Sequence, residues 1–294
     1  MQGIAAIALL AALAAVLAAQ LLPDGRADAA PVAEAAKKKK NYSVTSKSFR
    51  ISRPNDGQRL TVLCPGKAEP LGGGMTTDPP DADGEGIYPH SYERLGRQSG
   101  YHISVILYDP SPAQTKTRTV TLQVQCGPKY GKVSPPHDIL DLGPTDRKVA
   151  VAKCPGRRFL IGGGYQRTNF TNQGGILATE SRAISAKSWQ VSSVGLGKFG
   201  GQSVAIGYCV RTKKPPLQTV TETVPVPPRG FAVATTPPCP KKRELAFGGF
   251  STPADGAVLS TGGSFKSNGS WTVGGYNTSG TDASVTAYGY CLRV

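Results

Sequence analysis

The sequence predicts an all-β fold of three homologous antiparallel β repeats. Each repeat carries one disulfide, and the repeats are arranged as a β-prism or as tandem small β-sandwiches. Three observations predict this. First, one pattern recurs. Cys154-Pro155-Gly156 leads to Gly163-Gly164, Trp189 and Tyr208-Cys209, and Cys239-Pro240 leads to Gly248-Gly249, Trp271 and Tyr290-Cys291. Cys64-Pro65-Gly66 leads to Gly73-Gly74 and finally Cys126. In all three copies the Gly pair begins nine residues after the first Cys, and both Trp residues precede the second Cys by twenty. Second, 36 Gly and 24 Pro in 294 residues favour short strands joined by many turns. Third, no segment after the N-terminal apolar run sustains a 3.6-residue apolar period, so helices are not expected.

The chain divides into residues 1–29, a signal peptide; 30–44, a flexible Ala/Lys linker; and repeats at 45–139, 140–217 and 218–294. The apolar run from Ile4 to Leu22 is rich in Ala and Leu, and Ala27-Asp28-Ala29 offers small residues for cleavage before Ala30. No Lys or Arg precedes the run, and an uncleaved membrane anchor is the rival reading. Lys37 to Lys40 read as a solvated tether.

Six Cys behind a signal peptide imply disulfides and an oxidising compartment, hence a secreted, extracellular or cell-envelope protein. Six Cys allow 15 pairings. The repeat selects Cys64–Cys126, Cys154–Cys209 and Cys239–Cys291, since each unit owns one pair. Each closed loop contributes roughly 4 kcal/mol in the chain-entropy model.

In the first repeat, Phe49 to Ile51 and Leu60 to Leu63 read as strands flanking the turn Pro54-Asn55-Asp56-Gly57. Asp78 to Gly86 reads as an acidic loop with no counterpart, and Tyr101 to Tyr108 and Thr119 to Val124 as strands. Val120, Leu122 and Val124 alternate with Thr119, Thr121 and Gln123, the period of a half-buried strand. Tyr130 to Pro144 reads as a connector. In the second repeat, strands are expected on both sides of Cys154, then at Ile176 to Thr179, Ser188 to Val194 and Ser203 to Val210. In the third, Thr219 to Val224, Phe231 to Thr235, Leu245 to Phe247, Gly256 to Ser260, Ser270 to Tyr276 and Ser284 to Tyr290 follow. Trp189 and Trp271, with Tyr101 in the corresponding place, are expected to fill the core rather than to stack on carbohydrate.

Signals for catalysis are poor, and the chain reads as non-enzymatic with no cofactor. His90, His102 and His137 are the three His, and the other two repeats have no histidine-based chemistry to match. Gly195 to Gly200 matches Gly-x-Gly-x-x-Gly but lies between strands, where no helix presents its dipole to a pyrophosphate; it reads as a hairpin turn. Asp81, Asp83 and Glu85, followed by Gly86, space oxygens as the start of a calcium loop does, but Tyr92 stands where a bidentate Glu is needed. A solvated turn is the default there.

Charge says more. Net charge is +15, from 34 Lys and Arg against 19 Asp and Glu. The middle repeat holds 12 basic and 3 acidic residues, a net of +9, and the third holds 6 and 4, a net of +2. Closing Cys154–Cys209 gathers Lys153, Arg157 and Arg158 with Arg211, Lys213 and Lys214. Lys241, Lys242 and Arg243 flank Cys239 in the same way. Such a patch attracts polyanions, although a merely solubilising surface is the alternative. No aromatic-basic recognition pattern accompanies the charge, so nucleic acid is the weaker partner.

The Cys-Pro-Gly, Gly-Gly-Gly, Trp and Tyr-Cys pattern resembles a group of secreted β-repeat proteins typical of high-GC actinobacteria. The three Cys-Pro-headed repeats also look distantly like vitelline membrane outer layer protein, a β-prism. The shared motifs are structural, so the resemblance implies no catalytic residue. The leading expectation is a secreted or envelope-associated binding protein for anionic glycans or wall polymers. The alternatives are a structural surface protein without a small ligand, and a hydrolase with its site in the first repeat.

Overall fold

The structure is a computed structural model that describes residues 42–52, 57–78, 86–95, 99–108, 117–167, 174–213, 215–253, 255–259 and 263–293. All lie in one compact unit, Lys38–Val294. Residues 1–29, expected to be a signal peptide, and Lys37 to Lys40 lie outside the described residues, as do Asp81, Asp83, Glu85 and Lys214. Among the described residues no helix is long and apolar enough to cross a membrane.

The protein is all-β. The first repeat supplies β1 (Ser43–Ile51), β2 (Gly57–Leu63), β3 (Glu69–Asp78), β4 (Gly86–Arg94), β5 (Gly100–Tyr108) and β6 (Arg118–Gly127). The second supplies β7 (His137–Leu142), β8 (Arg147–Lys153), β9 (Arg158–Arg167), β10 (Gly174–Ser185), β11 (Ser188–Gly197) and β12 (Gly201–Arg211). The third supplies β13 (Leu217–Val226), β14 (Phe231–Thr235), β15 (Arg243–Ser251), β16 (Val258–Leu259), β17 (Gly263–Ser267), β18 (Ser270–Asn277) and β19 (Ala283–Arg293). The expected alternation in β6 holds: Val120, Leu122 and Val124 are fully buried while Thr119, Thr121 and Gln123 are half-buried. Gly197, with φ 77°, ends β11 at a hairpin into β12, which is the turn expected of the Gly-x-Gly-x-x-Gly stretch.

The strands are shared out between repeats. One sheet runs β1-β6-β3-β17-β18-β14, with β16 also on β18; a second runs β2-β5-β4-β9-β12-β7; a third runs β13-β19-β15-β10-β11-β8. Each repeat thus gives three strands to one sheet and the rest to the next. Three seams join the repeats: β3 to β17, β4 to β9 and β10 to β15, each by two facing residue pairs. Every sheet needs two repeats, so the molecule is a pseudo-threefold prism and not a string of sandwiches. The first two strands of each repeat form outer edges of two different sheets.

The glycine runs explain the closure. They lie inside β3, β9 and β15, not in turns. A Cβ on the first Gly of each pair would reach 2.2 Å from Tyr101 (Gly73), 2.0 Å from Trp189 (Gly163) and 2.0 Å from Trp271 (Gly248). The bare backbone lets the aromatic ring of the same repeat lie against it. A Cβ on the second Gly would strike a carbonyl of the neighbouring repeat: Ser264 O at 2.0 Å from Gly74, Tyr92 O at 2.0 Å from Gly164, Ser181 O at 2.3 Å from Gly249. The first glycine seats the aromatic core, and the second lets adjacent repeats join. A register shift precedes the pair in each copy, at Leu71, Ile161 and Ala246, each two residues before the first Gly.

Trp189 and Trp271 are each 1% exposed. Their indole N–H groups donate to Ser181 Oγ (3.1 Å) and Ser264 Oγ (2.7 Å), so their polar atoms are satisfied. In the first repeat Tyr92 stands where those serines do, and the smaller Tyr101 replaces Trp, donating to Gly163 O at 3.4 Å. Trp189, Phe247 and Tyr290 pack within 5.9 Å, ring centre to ring centre. The space left among these side chains is about 20 Å³, room for one water and no ligand.

The disulfides are Cys64–Cys126, Cys154–Cys209 and Cys239–Cys291, spanning 62, 55 and 52 residues. They mark a protein of an oxidising environment. One expectation needs correction. The stretch Tyr130 to Pro144 is not only a connector, because β7 within it is the outer strand of the second sheet. The stretch after the acidic loop, to which the sequence assigned no element, is a strand, β4, which carries the seam to β9.

Candidate polyanion interface

Each repeat makes a four-residue turn directly after its first Cys. The Ala68 N–H donates to Pro65 O (3.2 Å), Arg158 N–H to Pro155 O (3.3 Å) and Arg243 N–H to Pro240 O (3.1 Å). Gly66 and Gly156 take φ 59° and 56°, a region that glycine enters at no steric cost. The third repeat has Lys241 at that place, and the positive φ moves one residue on, to Lys242 at 67°.

In the second repeat this turn feeds β9, which pairs with the end of β12, and Cys154–Cys209 fixes the two together. Arg158 then faces Arg211 directly across the two strands. Like charges so placed repel. The Arg158 Nε is buried and has no hydrogen-bond partner among the described residues.

Two hollows open here. One, of about 650 Å³, is lined by Arg157, Phe159, Lys187, Arg211, Thr212 and Lys213. The other, of about 290 Å³, is lined by Pro155, Gly156, Arg157, Arg158 and Arg211. Arg157 and Arg211 belong to both, so the hollows form one basic surface. Lys187 comes from the β10–β11 turn. It donates to Gly156 O at 2.9 Å and lies 5.3 Å from the centre of the Phe159 ring, which holds its ammonium at the rim.

No acid lines either hollow. The four acids on the strands and turns of the second repeat are engaged elsewhere: Asp138 accepts from the Val151 N–H (2.6 Å), Asp141 accepts from Gln202 (3.0 Å), Asp146 pairs with Lys148 (2.9 Å), and Glu180 accepts from Arg182, Gln190 and Ser192. The position five residues after each first Cys is decisive. It is Glu69 in the first repeat, bound to Arg94 at 2.7 Å. In the third it is Glu244, which counters the burial that lowers the pKa of Lys266. In the second it is Phe159, so the surrounding cations keep their field.

The other expected site residues are placed less closely. Lys153 is exposed at the end of β8, paired with Ser188 in the third sheet. Lys241 and Lys242 are exposed, but the Arg243 guanidinium is spent on Pro216 O (3.0 Å) and Cys291 O (3.2 Å). Lys187 was not legible as a site residue, because it lies far from either Cys in sequence and arrives through a hairpin.

The histidines do not converge. His137 is exposed at the start of β7. His102 is buried opposite Glu93, with 3.5 Å between Nε2 and the carboxylate, and among the described residues no hydroxyl is hydrogen-bonded to it. Burial, aided by the charge of Arg167, lowers the His90 pKa to about 3. Among the described residues no group of three or more His, Cys, Asp or Glu could hold a metal.

No protein-family model matches the chain. No curated protein is significantly similar to it.

Proposed function

We propose that this is a secreted or cell-envelope-associated, non-catalytic protein that binds anionic glycans or wall polymers at the basic end of its middle repeat. One observation carries the reading: Arg158 faces Arg211, with Arg157, Lys187 and Lys213 beside them, and no carboxylate lines the surface. Cations held together without compensation are stabilised by a polyanion that bridges them. Arginine predominates, and its planar fork suits sulfate, carboxylate and phosphate groups. The disulfides and the N-terminal apolar run support export.

The test is binding to heparin, polygalacturonate and inorganic polyphosphate, which present sulfate, carboxylate and phosphate. Arg157→Ser/Arg211→Ser removes the two residues common to both hollows. Both are exposed, so stability should change by no more than about 0.5 kcal/mol each. Two exposed charge contacts are worth about 2 kcal/mol at low salt, so affinity should fall about 30-fold. Wild-type binding should weaken steeply with salt. Salt-independent binding, or an unaffected double variant, contradicts the reading. Absence of binding to all three polymers favours a structural surface protein.

A further inference from the structure

The pseudo-threefold symmetry places a second basic hollow on the molecule. The turn Pro65 to Ala68 has the backbone shape of Pro155 to Arg158, with Gly66 matching Gly156 in φ and Lys67 standing where Arg157 does. The burial pattern of residues 61–70 is identical, residue by residue, to that of 151–160. A hollow of about 650 Å³ opens beside this turn, lined by Pro65, Lys67, Ala68, Gly127, Pro128 and Lys129 among others. Lys129 also borders a neighbouring hollow of about 480 Å³ with Lys132 and the Arg94–Glu69 pair. Lys67, Lys129 and Lys132 are all exposed. The third repeat is built differently at this point, since its turn puts the positive φ on Lys242 and its Arg243 is tied to carbonyls.

We infer that the protein holds one long polyanion at two places: strongly in the Arg157–Arg211 hollow of the middle repeat, and more weakly at Lys67 and Lys129 of the first. This rests on the polyanion reading above. The rigid prism fixes the two hollows relative to each other, so a chain seated in the first is presented to the second. The second contact is then intramolecular, and affinity rises with polymer length beyond what either site gives alone. The protein would select long chains over fragments of the same chemistry. The weaker hollow has fewer cations and no arginine except the paired Arg94, so short fragments should occupy the middle repeat.

The experiment compares a heparin disaccharide with long-chain heparin, on the disulfide-bonded wild type, on Lys67→Ser/Lys129→Ser and on Arg157→Ser/Arg211→Ser. The lysine variant should bind the disaccharide as wild type does and lose about ten-fold or more of its long-chain affinity. The arginine variant should lose binding to both. Long-chain affinity unchanged in the lysine variant overturns the two-place inference while leaving the middle-repeat site intact. Equal losses for disaccharide and long chain overturn it too, because the lysines then act only through a general field. Failure of wild type to bind either ligand, or an arginine variant that binds both normally, overturns the polyanion reading and this inference with it.

Discussion

Replacing Gly163 by Ala should damage the core more than any surface change discussed above. The added Cβ would lie 2.0 Å from Cδ2 and 2.4 Å from Cε2 of Trp189. Ordinary contact begins near 3.4 Å, so the indole would have to retreat by more than 1 Å. It has nowhere to go. Trp189 is 1% exposed, donates to Ser181 Oγ at 3.1 Å, and rests against Phe247 and Tyr290. Overpacking of this kind costs about 1–3 kcal/mol. Breaking the indole–serine bond leaves a buried donor and acceptor and adds about 1 kcal/mol. The sum, about 3 kcal/mol, corresponds to a fall in Tm of about 6–12 °C for a chain of this size. Two controls separate packing from backbone conformation. Gly280→Ala meets nothing within 4 Å and keeps an ordinary φ, so it should be neutral or slightly stabilising. Gly66→Ala also meets nothing within 4 Å but sits at φ 59°, so it should cost about 1 kcal/mol. The assay is denaturant unfolding of all three under non-reducing conditions. A Gly163→Ala protein within about 0.5 kcal/mol of Gly280→Ala would refute the account of how the prism closes.

Three further outcomes are expected. The folded-state pKa of His90, about 3, lies below its usual value of 6.5, so the native protein holds the neutral ring. Its contribution is fully present above pH 6.5 and is lost as pH falls towards 3, amounting to about 2 kcal/mol between pH 8 and 5. His90→Gln should remove that part of the slope, and an unchanged slope contradicts it. Replacing Cys154 and Cys209 by Ala should lower stability by about 4 kcal/mol and weaken heparin binding at low salt by releasing Arg158 from Arg211; full binding by the folded variant contradicts the clamp. Gln125 is 2% exposed, and both polar atoms of its amide lack hydrogen-bond partners among the described residues. Gln125→Met should therefore be neutral or stabilising by about 1 kcal/mol in thermal unfolding; a loss of more than that shows a hidden partner.

The fold class and the disulfides were legible because the repeat writes them three times. The Cys positions recur with the glycines, and β6 alternates as a half-buried strand must. What the sequence left open was which repeat supplies each strand's neighbour. That depends on Gly74, Gly164 and Gly249 meeting carbonyls of other repeats, and distance along the chain carries no trace of it. Strands β4 and β7 were missed for a different reason: each pairs mainly within its own repeat, with β5 and β12, but the Pro and Gly residues around them read as loop. The site was half legible. Arg157 and Arg211 could be brought together by the disulfide alone, whereas Lys187 arrives through a hairpin tip. The significance of Phe159 appears only when it is superposed on Glu69 and Glu244.

The uncompensated cations of the middle repeat are the proposed binding surface. Amide chemical-shift mapping of the isotopically labelled protein during titration with a heparin oligosaccharide tests it most directly. The largest shifts are expected at Gly156 to Phe159, Lys187 and Arg211 to Lys213, reversed by added salt. Shifts centred instead on the histidine-bearing strands β4 and β5, or no shifts at all at low salt, would contradict it.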